Sequence, residues 1–198
     1  MGVDITVLII DWEHIEEAPP DQRMGLLEDA LYPEDDWDLE GLERGWVWPS
    51  APGAPWVARY EFYRTLGSFK PHFWAGEAWE KFRDFVDPGL RATLDGFLSA
   101  LIWDGPDRGN DAAPVHGLVL CGLETSLAYP PQAVPALVQL WADAAPRLEE
   151  LRDPFAIHGA RPEGWMKTFD EFADLLRDWG EVVGEANRRR WGLIKEVQ

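Results

Sequence analysis

The window richest in chemistry is GSFKPHFWAG, residues 67–76, where Ser68, Lys70 and His72 alternate with Phe69, Pro71 and Phe73. In an extended chain alternate side chains share one side, so a hydroxyl, an ammonium and an imidazole would line a single edge. That trio is equipped to bind an anion or to move a proton near neutral pH, with Trp74 beside it as an apolar wall. The other reading of the same run is a loop or edge strand anchored by its aromatics, with Lys70 left in solvent. A second group, Asp104, Asp107, Asp111 and His116, offers oxygen ligands for a hard divalent cation, but its spacing is not that of an EF-hand loop. Asp11, His14 and Glu17 recur every three residues on one helical face, which solvation explains as readily as a metal. Cys121 lies in the apolar run GLVLCG, the setting of a buried and inert thiol, and His158 has no nearby partner for a catalytic triad. The sequence has no P-loop, dinucleotide-binding glycine pattern, CxxC pair, HExxH or GxSxG, so neither a cofactor nor a metal is expected.

These residues need a scaffold, and hydrophobic periodicity predicts one. Residues 3–10 alternate with apolar positions on both faces, which marks a central strand. Asp11 and Asp21 are placed to cap two short acidic helices that end at Pro19-Pro20 and Pro33. Residues 33–55 show no sustained period and read as an irregular, acidic, loop-rich segment pinned by Trp37, Trp46 and Trp48. Residues 56–63 alternate like a strand, while Trp56, Tyr60 and Tyr63 also share a helical face. Apolar stripes predict helices near 76–86, 88–103, 132–152 and 169–187, with Asp87-Pro88 starting the second and Pro146 kinking or splitting the third. Thr168 and Glu171 form a capping box for the last helix, and Arg188, Arg189 and Arg190 sit at its negative end. Residues 117–129 and 191–197 complete the strand candidates. The expected fold is α+β: a single compact domain over 1–198, with a small mixed or antiparallel sheet covered by four or more amphipathic helices.

Charge narrows the partners. The chain carries 18 Lys and Arg against 36 Asp and Glu, a net charge of −18. That argues against nucleic acid and against anionic membrane surfaces, since both are held by dense Lys and Arg. No apolar run is long enough to span a bilayer, and Met1 to Asp4 do not open a secretory signal, so a cytoplasmic location is expected. The single cysteine allows no internal disulfide. Tryptophan is the compositional outlier at 12 residues, most of them expected in the core. Fourteen of the acids but only one base, Arg23, fall in residues 1–43. There Glu34, Asp35, Asp36 and Asp38 surround Trp37, an aromatic anchor ringed by charge that suits a basic protein partner.

The MGV start, the DW after the first strand, GSFKPHFWAG, LIWDG and RPEGW together resemble small uncharacterised proteins of GC-rich actinobacteria. The resemblance implies a stand-alone bacterial cytoplasmic protein and carries no catalytic residue with it. Two function classes follow from the residues themselves. One is a non-catalytic interaction or inhibitor module that binds a basic partner. The other is a small-molecule-binding protein or enzyme using a cleft near residues 67–76, with Asp104 and His116 as further contributors. Convergence of Lys70, His72, Asp104 and His116 in one cleft would favour the second class. Oligomeric state is left open by the sequence.

Overall fold

The computed structural model describes residues 3–31, 45–48, 56–103, 127–161 and 164–197. Strand β1 (Ile5–Ile10) sends Ile5, Val7 and Ile9 into one apolar cluster and Leu8 and Ile10 into another, so it needs cover on both faces. It is the middle strand of a five-stranded antiparallel sheet. Outward on one side lie β3 (Val57–Glu61) and then β2 (Gly45–Val47); on the other lie β5 (Gly192–Val197) and then β4 (Leu127–Tyr129). The register sets Leu8 opposite Arg59 and Ile194, and Ile9 opposite Ala58 and Leu193, so like faces align across the sheet.

The smaller cluster is closed by α1 (Trp12–Glu17) and α2 (Arg23–Leu31) through Trp12, Ile15 and Leu27. The Asp11 carboxylate accepts from His14 N at 3.5 Å and caps α1 as the sequence predicts. The larger cluster lies under α3 (Lys70–Phe82), α4 (Pro88–Leu101) and α5 (Val134–Ala144). A tight helical stretch, 145–151, then leads into the single turn α6 (Arg152–Pro154) and a wide turn, 155–159. Pro146 does split the helix expected over 132–152, because it cannot donate its share of the i to i−4 ladder. The central helix is α7 (Phe169–Arg189), whose Phe172, Leu176, Trp179 and Val183 are fully buried. Its capping box is present, with Thr168 Oγ1 accepting from Glu171 N at 3.2 Å. Trp141 of α5 lies against Gly180 so closely that a Cβ there would fall inside the indole.

The α+β class agrees with the sequence; two details differ, and one left open is decided. Residues 45–47 form a strand inside the segment read as irregular; three residues are too few to show a period, and Trp46 is held by an edge contact with Tyr60 at 4.9 Å. Residues 57–61 resolve to strand rather than helix. Of the eleven described tryptophans only Trp12, Trp79, Trp103 and Trp179 are buried, six more pack half-buried on the two clusters, and Trp165 is exposed. Residues 117–126 of the expected strand lie outside the described residues.

Candidate functional site

Residues 67–76 are not an extended edge. Helix α3 begins at Lys70 with Pro71 in its first turn, where the missing N–H forfeits no bond and the ring's φ already suits a helix. His72, Ala75, Trp79 and Phe82, spaced three or four apart, are all buried, so the helical stripe runs back through the motif. The consequence is separation of the three polar groups. Lys70 is exposed, and Ser68 is half-buried, bridging to Asp4 while its Oγ accepts from Lys70 N at 3.3 Å. Trp74 is half-buried under the Arg161 guanidinium, 4.3 Å from the ring centre.

His72 is enclosed by the rings of Phe62, Phe69 and Trp179. Trp179 Nε1 donates to its Nδ1 at 3.2 Å, which leaves the proton of the neutral ring on Nε2. Nε2 has no hydrogen-bond partner among the described residues. Burial, and after it the charge of Lys195, push the imidazole down to about 3, so His72 is neutral near pH 7 and out of reach of solvent. The edge position expected for it is therefore replaced by a core position. Asp104, Asp107, Asp111, His116 and Cys121 lie outside the described residues, as do Glu34, Asp35, Asp36, Trp37 and Asp38. His14 packs on Trp56 at 4.7 Å and His158 stacks on Phe85 at 3.6 Å. Among the described residues no three His, Cys, Asp or Glu side chains converge as a metal site.

A cavity of about 770 Å³ opens beside the motif and touches it only through Pro71. One lip is the turn after β3, where Arg64 (φ 57°), Leu66 (φ 51°) and Gly67 (φ 73°) are all left-handed. The other is the segment entering α7, with Gly164 (φ 108°) and Met166 (φ 62°) in the same region. Pro71, Met166 and Leu175 make a buried apolar floor, while Tyr63 and the 39%-exposed Trp165 stand as aromatic walls. A left-handed residue with a Cβ costs roughly 1 to 2 kcal/mol, and such strain persists only where surrounding contacts enforce it. Here the contacts are identifiable. Asp178, 1% exposed on α7, accepts from Tyr60 Oη and from Tyr63 N, each at 3.1 Å, and Ile5 N donates to Gly67 O at 2.7 Å. On the opposite lip Glu171 Oε2 accepts from Lys167 N at 2.7 Å and from Thr168 N at 3.2 Å.

The charges around the cavity divide into engaged and free. Asp170 pairs with Arg152 at 3.0 Å, Asp174 with Arg177 at 2.7 Å, and Glu171 serves the two backbone N–H groups just described. Arg64 and Lys167 have no carboxylate at salt-bridge distance among the described residues; the Arg64 guanidinium carbon lies over the Tyr63 ring, 4.6 Å from its centre. A second cavity, about 510 Å³, lies at the far end of α7 between Trp12 and Trp191. Its Arg189 is paired with Glu185 and covered by Trp48 and Trp191, and the left-handed Arg190 is simply the helix C-cap. Among the described residues, the first cavity is a place where size, left-handed lining residues and cations without a carboxylate partner coincide. Sequence reading missed Arg64, Met166, Lys167 and Asp178. The available signals were Gly67 and Gly164 as turn markers, and an aspartate on the buried face between Leu175 and Val182. No protein-family model matches this chain, and no curated protein or solved structure does either.

Proposed function

We propose that the protein binds a small molecule in the cavity between the turn 63–67 and the segment 164–168. One observation carries this reading: of the four left-handed non-glycine residues among those described, Arg64 and Met166 line one drug-sized cavity and Leu66 lies in the turn that carries Arg64. The fourth has an ordinary capping role. The buried carboxylate of Asp178 and the capping box of α7 hold the two lips, so the walls are pre-organised. The reading keeps the cleft expected near residues 67–76 and replaces its lining. The test is a ligand-observed NMR screen of small aromatic and aliphatic compounds, repeated on Trp165→Ala. Trp165 is exposed enough to remove without opening the core, so true site ligands are expected to weaken on the variant. Hits that bind both proteins equally would count against the cavity.

A second reading, an interaction module for a basic protein partner, is favoured by the net charge of −18 and by the exposed Glu13, Glu16 and Glu17 along α1. Association that slows with rising salt, and slows again when Asp35, Asp36 and Asp38 become Asn, is its expected signature.

A further inference from the structure

We infer that the ligand of this cavity is an aromatic oxyanion, a planar apolar body carrying a carboxylate or a phosphate. The inference rests on the ligand-binding reading above and adds the charge and shape of the ligand. In a chain with two acids for every base, a cation near a carboxylate normally pairs with it, as Arg83 does with Asp95 and Arg147 with Glu150. Arg64 and Lys167 line the same cavity as three carboxylates and pair with none of them. The carboxylates are taken: Asp170 by Arg152, Asp174 by Arg177, and Glu171 by the backbone it caps. An incoming ammonium would have to compete with those partners, whereas an incoming oxyanion meets two cations that no carboxylate among the described residues holds.

Arg64 adds a shape preference. Its guanidinium carbon lies over the Tyr63 ring, 4.6 Å from the ring centre, and its forked N–H donors suit two parallel bonds to one carboxylate or phosphate. Its left-handed backbone is itself enforced by the Tyr63 N to Asp178 bond next to it. Lys167 adds a mobile point charge from the other lip. Trp165 and Met166 line the same cavity and offer a flat ring apolar and polarizable contacts. A simple inorganic anion would leave that surface wet.

The experiment is isothermal calorimetry with four probes of one shape: naphthoate, naphthyl phosphate, naphthalenemethanol and naphthylmethylamine. Each is titrated into the full chain and into Arg64→Gln and Lys167→Gln. Both side chains are exposed, so the variants are expected to fold, and circular dichroism checks it. The carboxylate or the phosphate is expected to bind about tenfold tighter than the alcohol, and each variant to lose roughly that factor for the anions alone. Which of the two anions binds tighter tells the carboxylate from the phosphate. Tightest binding of the amine or the alcohol, or anion affinities unchanged in both variants, would overturn the oxyanion assignment and leave the cavity as a site. Failure of all four probes would overturn the assignment together with the reading it rests on.

Discussion

His72 makes a stability claim that can be worked through in numbers. Its ring is fully buried, its pKa is pushed from 6.5 to about 3, and an unfolded chain would restore the ordinary value. Below about pH 6.5 the unfolded state therefore binds a proton that the native state refuses, and stability falls as pH drops. The contribution is complete above pH 6.5 and is lost toward pH 3 at about 1.4 kcal/mol per pH unit, roughly 5 kcal/mol in all. The carboxylates held low by arginine, Glu150 and Glu185 among them, keep their stabilisation until pH falls below their ordinary range, so the interval from about pH 6.5 to 4.5 belongs to His72. The perturbation is His72→Gln, which removes the titration and leaves an amide oxygen that can accept from Trp179 Nε1. Urea unfolding of both proteins across that interval is the assay. The native protein is expected to lose about 3 kcal/mol more than the variant by pH 4.5. Parallel curves for the two proteins would refute the argument and show that the imidazole is solvated or finds a partner on protonation.

Three further substitutions probe the frame around the cavity. Gly180→Ala should destabilise by about 2 kcal/mol in urea unfolding despite alanine's better helix propensity, because its Cβ collides with the Trp141 indole; a neutral result would mean that α5 and α7 can separate without cost. Asp178→Ala strips an acceptor from Tyr60 Oη and Tyr63 N and should cost about 2 to 4 kcal/mol, with faster amide exchange in the turn 63–67 reporting the loosened lip. Leu66→Gly should stabilise by up to about 1 kcal/mol, since a 94%-exposed side chain at φ 51° gives up strain and almost no burial; a loss of stability would show that Leu66 packs on something in solution.

The sequence carried the regular elements and little of the cavity, for physical reasons that differ by element. Helix α7 was readable from both ends because the Thr168 and Glu171 pair and the terminal arginines are chemical signals independent of its apolar period. The alternation of residues 3–10 indicated a strand buried on both faces, as β1 is. The start of α3 was misread because six residues of GSFKPHF satisfy a period of two, whereas the helical stripe through His72 and Trp79 becomes visible only over a longer window. The cavity was unreadable for another reason. Arg, Leu and Met are not residues whose type announces a left-handed backbone, and at Arg64, Leu66 and Met166 the conformation is imposed by tertiary contacts such as Asp178 to Tyr63 N. Asp178 itself interrupts an apolar helical face, a sequence mark of the site's support beside the turn glycines Gly67 and Gly164 and the capping box of α7.

The most direct test of the ligand-binding account uses a probe already in the protein. The chain has three methionines, Met1, Met24 and Met166, and Met166 lies in the cavity floor. Labelling the methionine methyls with carbon-13 gives each a separable NMR signal, to be followed while naphthoate is added. The account expects the Met166 methyl to shift saturably, with the Met1 and Met24 signals in place, and the half-saturating naphthoate concentration to rise about tenfold in Arg64→Gln. A Met166 signal that stays fixed while naphthoate binds elsewhere, or that moves no more than the other two, would contradict it.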